Sequence, residues 1–267
     1  MIQRCLRPGT DGGWSTDKGV LVTLRMDRLS PAVRARAAPF LEELVRLAGP
    51  ALHSLHLVGS AVTPDWVDGR SDVNALLLLR EMDLAVLESI APLGRRFRRA
   101  GIAPPLVMDL KYVNDSLDVF PMEFLEMRLI HETVLGEDIL SGLAIDSGDL
   151  RRQCEREIKS RLIGLRMGYL RALGEAKALG DTLAHFLAGY QPLANGCLVL
   201  FGKEPPRRSA ETFAALTAAV GPDAGVFSEM LAVKEGRSKP DASGMRDLFE
   251  RCHRATERLG RIVDDLP

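Results

Sequence analysis

Residues 52–80 read LHSLHLVGSAVTPDWVDGRSDVNALLLLR, and this stretch decides the predicted fold. A first apolar run ends on Gly59-Ser60, a polar loop follows, and a second apolar run opens with Asp72 and, two residues later, Asn74. Both runs have the length and composition of β-strands. Alternate side chains of a strand share a face, so we expect Asp72 and Asn74 to point the same way, beside the Gly-Ser turn.

The residue types at this turn suit phosphate chemistry. Glycine lets the backbone approach a ligand closely, and the hydroxyl of Ser60 can donate a hydrogen bond to a phosphate oxygen. Paired acids on a strand supply the oxygen ligands that Mg²⁺ prefers, together with a substrate phosphate. Asn74 offers a neutral oxygen where a second carboxylate would strengthen the site, so we expect a weaker site or a site for a single metal ion.

This arrangement resembles the nucleotidyltransferase family that includes DNA polymerase beta and the aminoglycoside adenylyltransferases. The family pattern is an apolar strand, Gly-Ser, a loop, and then a strand that opens with two acids at alternate positions. Gly59, Ser60, the loop length and Asp72 match this pattern, whereas Asn74 departs from it by standing in place of the second acid. The resemblance covers residues 30–145.

The resemblance implies an enzyme that depends on Mg²⁺ or Mn²⁺. Such an enzyme would move a nucleoside monophosphate from a nucleoside triphosphate, such as ATP, to a hydroxyl group of an acceptor. The site residues that it implies are Gly59, Ser60 and Ser71 for nucleotide binding, Asp72, Asn74 and Glu123 for metal binding, and Asp72 and Glu123 for catalysis.

Glu123 lies in an alternating run, residues 119–127, which predicts a β-strand. Pro121 inside the run favours an edge position or a bulge. The third acid of the family comes from a later strand, and the Met-Glu-Phe-Leu sequence around Glu123 resembles that position, as a metal ligand, a general base or both. An exposed edge-strand glutamate is the alternative. Asp118 and Glu126 are rival candidates for the third acid. In a regular strand, however, both would point to the face opposite Glu123.

Composition narrows the class of protein. A chain of 267 residues, 46% of them hydrophobic, can form one large domain or two ordinary ones. The net charge of −1 gives no overall field that would attract nucleic acid or an anionic membrane, so neither is an expected partner.

No apolar run is long enough to span a bilayer, and the N-terminal sequence lacks the apolar core of a signal peptide. The four cysteines are far apart, which favours reduced thiols in a cytoplasmic protein over a zinc site.

Outside the central stretch, the first half of the chain alternates between strand and helix patterns. Residues 1–18 are expected to be irregular, and residues 19–26 to form a short strand. Ser30-Pro31 predicts the start of a helix, with serine as the cap and proline at the first position. Residues 131–146 read as a connector with a short helical piece. These patterns predict an α+β domain, in which a mixed sheet is flanked by helices.

From residue 147 onwards the apolar residues recur at helical spacing. Short connections between the predicted helices favour an antiparallel, all-α helical bundle. We therefore expect two domains, residues 1–146 with a core at 30–145, and residues 147–267. A helical domain after the catalytic domain is also similar to the adenylyltransferases, which implies that it helps to hold nucleotide or acceptor.

Two functions remain open from the sequence. The first is the active nucleotidyltransferase, favoured by Gly59-Ser60, Asp72 and Glu123. The second is a catalytically weakened or inactive relative that binds a nucleotide or a partner on the same scaffold, favoured by Asn74. An antitoxin-like role, in which small members of the family act on toxin partners, is a third alternative that no residue selects. The sequence does not indicate whether the acceptor is a small molecule or a protein, nor the oligomeric state.

Overall fold

The computed structural model describes residues 6–8, 14–16 and 21–266, and the chain divides into two compact units. The first unit comprises Met1–Leu117 and Met127–Leu143, and the second comprises Asp118–Glu126 and Ala144–Pro267. Residues 118–126 therefore group with the second unit although they precede the end of the first. The division of the chain at residues 146 and 147 stays a prediction.

Three short strands form a separate antiparallel sheet near the start of the chain. They are β1 (Leu6–Pro8), β2 (Trp14–Thr16) and β3 (Leu21–Val22), in the order β1-β2-β3. The prediction of irregular structure for residues 1–18 is wrong for β1 and β2, because pairing between neighbouring short segments satisfies their backbone groups without an alternating sequence. The strand predicted within residues 19–26 is present as β3. The remaining residues of this segment up to residue 20 lie outside the described part.

The main sheet has four strands. They are β4 (Leu52–Val58), β5 (Asn74–Leu79), β6 (Leu106–Asp109) and β7 (His131–Gly136), in the order β6-β5-β4-β7. Strand β4 is antiparallel to both of its neighbours, whereas β5 and β6 are parallel. A parallel pair needs a crossover, and the segment between β5 and β6 supplies it with a helix. This mixed sheet with helices confirms the predicted α+β fold.

Two helices cover one face of the sheet, α1 (Pro31–Ala48) and α2 (Leu84–Phe97). The hydroxyl of Ser30 accepts a hydrogen bond from the backbone N–H of Val33 at 3.3 Å, which caps α1 as predicted. Pro39 lies inside α1 without ending it. The buried core between these helices and the sheet includes Phe40, Leu41, Leu44, Leu55, Leu57, Val73, Leu77, Ile90 and Phe97.

The predicted strand over residues 119–127 is wrong. After the short helix α3 (Leu110–Asp115), which Asp109 caps, the chain forms α4 (Pro121–Leu129). Pro121 takes the first helical position, where its missing N–H costs no hydrogen bond. Residues 131–136, predicted as part of a connector, form β7 and complete the sheet beside β4.

The second half of the chain is helical, as predicted. It contains α5 (Ser147–Ala172), α6 (Ala176–Leu200), α7 (Ser209–Val220), α8 (Gly225–Lys234) and α9 (Ala242–Asp264). Helix α6 contacts the other four, which accounts for its apolar sequence. In the described part of the chain, no helix is both long enough and apolar enough to cross a bilayer.

Candidate functional site

The Gly59-Ser60 turn follows directly after β4 and forms a short 3₁₀ turn, Gly59–Val62. Gly59 has a φ of +73°, in the left-handed region that L side chains rarely adopt. The backbone N–H and the hydroxyl of Thr63 both donate to the carbonyl of Ser60, at 3.0 and 3.1 Å. The hydroxyl of Ser60, which is partly exposed, makes no hydrogen bond within the described residues, so it is available to a ligand.

Asn74 lies beside this turn. It is the first residue of β5 and is directly opposite Val58, the last residue of β4. Its side-chain Nδ2 is 3.6 Å from the point that a Cβ at Gly59 would occupy. The structure therefore brings Gly59, Ser60 and Asn74 together at one end of the β4-β5 pair. An amide here can donate to a phosphate oxygen through Nδ2 and offer Oδ1 to a cation.

Asp72 and Ser71 belong to the loop that enters β5. The side chain of Ser71 accepts a hydrogen bond from the N–H of Val67 at 3.1 Å, while its own N–H donates to the Val67 carbonyl, so this serine closes the loop. Asp72 is exposed, and its Oδ1 is 3.8 Å from the point that a Cβ at Gly101 would occupy. Asp72 thus lies next to Gly101, whereas Asn74 lies next to Gly59. That both side chains converge on the Gly-Ser turn stays a prediction.

Glu123 occupies the first turn of α4 rather than a strand. Its Oε2 accepts a hydrogen bond from Nε2 of Gln153 at 2.7 Å, and Oε1 of the same glutamine accepts from the N–H of Met122, also at 2.7 Å. The buried Gln153 of α5 therefore fixes the start of α4. Glu123 itself is exposed.

Glu126 was expected on the opposite side from Glu123, and this expectation is wrong, because residues three apart on a helix share a face. The carboxylate of Glu126 accepts a hydrogen bond from Nδ2 of Asn195 at 2.9 Å, and Asn195 in turn accepts from the hydroxyl of Thr212 at 3.3 Å. Burial raises the pKa of Glu126, and the hydrogen bond from Asn195 opposes this shift only in part. This buried polar chain within the helical unit gave no recognisable sequence signal.

A second polar cluster lies within the sheet. The buried imidazole of His56 contacts the hydroxyl of Ser54 through Nε2 at 2.9 Å and that of Thr133 through Nδ1 at 2.8 Å. Burial, assisted by the neighbouring His131, lowers the pKa of His56 to about 4. Nε2 of His131 contacts Oδ1 of Asp138 at 3.0 Å. In the sequence, this cluster is indicated by polar residues at alternate positions of β4 and β7. Because residues 131–136 were predicted as part of a connector, the pairing of β7 with β4 was not expected.

The side chains that could bind a metal ion are few near the Gly59-Ser60 turn. Among residues 23–266, no group of three or more histidine, cysteine, aspartate or glutamate side chains could hold a metal ion. Three cysteines, Cys154, Cys197 and Cys252, are free and buried. The loop after the Gly59-Ser60 turn has three carboxylates, Asp65, Asp68 and Asp72, of which Asp68 pairs with Arg36. The predicted metal ligands in this part of the chain are the carboxylate of Asp72 and the amide of Asn74. This set fits a metal ion that arrives bound to triphosphate better than one held without it.

Comparisons with known proteins agree with the fold. No protein-family model matches the chain, and no curated protein does. Among solved structures, the chain is similar to the spectinomycin adenyltransferase AAD(9) from Enterococcus faecialis, which was determined with ATP and spectinomycin. The TM-score is 0.53 at 11% sequence identity, over 84% of this chain and 98% of that one. At this identity the likeness shows a shared fold: a nucleotidyltransferase-like sheet followed by a helical region.

Proposed function

We propose that this protein is a nucleotidyltransferase, which transfers a nucleoside monophosphate from a nucleoside triphosphate to a hydroxyl group of an acceptor. The observation that carries the proposal is the turn after β4. There Gly59 takes a positive φ, the Ser60 hydroxyl is available, and the amide of Asn74 lies beside the turn. The similarity in fold to an adenyltransferase supports the same proposed function.

In the proposed reaction, the acceptor oxygen forms a bond to the α-phosphorus of the triphosphate. The bond between that phosphorus and the bridging oxygen breaks, and pyrophosphate leaves. The acceptor proton passes to a base. Ser60 and the backbone at Gly59 would bind phosphate oxygens. Ser71 would act indirectly, since its hydrogen bonds with Val67 shape the loop that carries Asp72.

The divalent metal is part of the proposed substrate, as the Mg²⁺ or Mn²⁺ complex of the nucleoside triphosphate. Asp72 would provide the anionic ligand and Asn74 a neutral oxygen, while the phosphates supply the remaining charge. Such an ion would neutralise charge on the phosphates when bound. Glu123 is proposed as a further ligand or as the general base. Its exposed carboxylate, oriented by Gln153, keeps free lone pairs for this purpose.

A second candidate function is nucleotide binding without efficient transfer. Asn74 is the observation that favours it, because the amide removes one negative charge from the set of metal ligands. Both functions require a nucleoside triphosphate at the Gly59-Ser60 turn, and they differ in whether pyrophosphate is released.

Calorimetric titration with each nucleoside triphosphate, in the presence of Mg²⁺ or Mn²⁺, tests the shared part of the proposal. We expect one triphosphate to bind. The substitutions Ser60→Ala and Asp72→Asn should each weaken its binding at least tenfold. Ser89→Ala is a matched control, since the hydroxyl of Ser89 bonds to a carbonyl inside α2. No binding of any triphosphate, or equal binding by all variants, would rule out the proposed site.

Glu123→Gln tests the proposed role of Glu123. Unchanged triphosphate binding with loss of transfer indicates a general base, and weakened triphosphate binding indicates a metal ligand.

A further inference from the structure

A pocket of about 810 Å³ lies at one end of α1 and α2, within the first unit. Its wall contains four arginines, Arg36, Arg70, Arg98 and Arg99, and two aspartates, Asp68 and Asp72. These side chains come from three separate parts of the sequence: α1, the loop that enters β5, and the 3₁₀ turn after α2. The volume is within the range of pockets that hold small molecules.

The charges of this wall are only partly compensated. Arg36 forms an ion pair with Asp68, and its guanidinium also lies over the ring of Trp66, with its Cζ 5.3 Å from the ring centroid. Arg70, Arg98 and Arg99 are exposed and have no acidic partner within residues 23–266. With four arginines and two aspartates, the wall carries an excess of two positive charges.

Backbone hydrogen bonds fix the turn that carries two of these arginines. Arg98 and Arg99 lie in a 3₁₀ turn that ends at Gly101, where a φ of +66° reverses the chain, and the N–H of Val73 donates to the Gly101 carbonyl at 2.8 Å. Guanidinium groups bind phosphate through two parallel N–H donors. Ala32, Ala35, Pro39 and Phe97 give the pocket an apolar part.

We propose that this pocket binds a small phosphorylated molecule that carries at least two negative charges. The phosphate groups contact Arg70, Arg98 and Arg99, and the apolar part of the molecule lies against Pro39 and Phe97. The concave shape, the apolar wall and the two aspartates favour a compact ligand over a nucleic acid backbone, which needs an extended basic surface. The pocket shares Ser71 and Asp72 with the candidate nucleotide site, but the proposed ligand contacts, the arginines and the apolar wall, include neither Gly59 nor Ser60.

The test is calorimetric titration of the full chain with inorganic pyrophosphate and with adenosine diphosphate, both in EDTA so that no metal complex forms. We expect Arg98→Ala/Arg99→Ala to weaken binding of both probes at least tenfold. The control Arg80→Ala/Arg95→Ala removes the same charge from two exposed arginines outside the pocket, and we expect a change of less than twofold. Arg98→Lys/Arg99→Lys keeps the charge but loses the forked donors, so an intermediate loss is expected.

Four results would overturn the proposal. The first is that neither probe binds at millimolar concentration. The second is an equal loss in the pocket and control variants, which indicates a general charge effect. The third is a loss of probe binding in Ser60→Ala but not in Arg98→Ala/Arg99→Ala, which places the anion at the Gly59-Ser60 turn. The fourth is that a short single-stranded RNA binds more tightly than either probe and that Arg98→Ala/Arg99→Ala abolishes this RNA binding. Thermal unfolding checks that each variant is folded, and the lysine variant serves if the alanine variant is not.

Discussion

The side chain of Asn74 lies against the backbone of Gly59: its Nδ2 is 3.6 Å from the point that a Cβ at Gly59 would occupy. The contact joins the end of β4 to the start of β5, where the two strands pair at Val58 and Asn74. The side chain of Asn74 therefore lies beside the Gly59-Ser60 turn, and substitutions at Gly59 and Asn74 probe the candidate site from both sides.

Replacing Gly59 with alanine should destabilise the protein. A Cβ in the left-handed region costs roughly 1–2 kcal/mol, and the φ of Gly59 is +73°. Urea unfolding measures the change. Gly94→Ala is the control, because Gly94 lies inside α2 with no heavy atom within 4 Å of an added Cβ. That substitution should stabilise the protein by about 0.5–1 kcal/mol, since alanine favours the helix. Equal effects at both positions would contradict the strained backbone at Gly59.

Asn74→Asp should strengthen binding of Mg²⁺ to the protein without nucleotide. A second carboxylate adds an anionic oxygen ligand, and we expect affinity to rise by roughly tenfold, which corresponds to about 1.4 kcal/mol. Calorimetric titration with MgCl₂ measures it, and Asn114→Asp, in α3, controls for added charge.

If the rest of the site is competent, Asn74→Asp should also raise or create nucleotidyl transfer. Stronger metal binding without any transfer favours the nucleotide-binding function. If the natural protein already transfers nucleotide rapidly and Asn74→Asp slows it, then Asn74 is a phosphate donor and not a weakened ligand, since an ionised aspartate cannot donate a hydrogen bond.

Glu126→Gln should stabilise the protein at neutral pH. Because burial raises the pKa of Glu126 above its ordinary value of 4.5, the folded state binds its proton more tightly than the unfolded state. Its contribution to stability therefore falls as pH rises above 4.5, and glutamine removes this loss while it still accepts from Asn195. The difference in Tm between Glu126→Gln and the natural protein should grow from pH 4 to pH 7. A constant difference would indicate that the carboxyl group has no raised pKa.

His56 should make the protein less stable in acid. With a pKa of about 4 in the folded state and an ordinary value of 6.5, the unfolded state binds the proton first as pH falls. Stability is then lost between pH 6.5 and pH 4, by about 3 kcal/mol for this group. His56→Gln should reduce this pH dependence in urea unfolding, whereas the exposed His185, replaced by glutamine, should not. The same slope in both variants would contradict a buried neutral imidazole.

The sequence predicts the strands around Gly59-Ser60 and the helices of the second half well, because their signals are local. Ser30 and Pro31 show how a cap and a first-turn proline mark a helix start. The pattern of residues 119–127 misled because Met122 and Phe124 fit the alternation of a strand, whereas the burial of Leu125 beside them fits a helix face. Pro121 read as the first residue of a helix would have distinguished the two.

Other parts of the candidate sites depend on residues that are distant in sequence. The arginine pocket joins α1, the loop before β5 and the turn after α2, so no local pattern indicates it. Strand β7 begins with His131 and Glu132, and its pairing with β4 compensates for a sequence with little apolar alternation. The contacts of Glu126 with Asn195 likewise form only when α4 meets α6 within the helical unit.

The most direct test of nucleotidyl transfer uses a labelled triphosphate and the small molecules and proteins of a cell extract as acceptors. The purified protein is incubated with Mg²⁺ or Mn²⁺ and with each nucleoside triphosphate, labelled with ³²P at either the α- or the γ-phosphate. We predict that the α-label enters a new product, that the γ-label leaves as pyrophosphate, and that Asp72→Asn abolishes both. Transfer of the γ-label without the α-label, or transfer of the α-label that Asp72→Asn leaves unchanged, would contradict the proposed function.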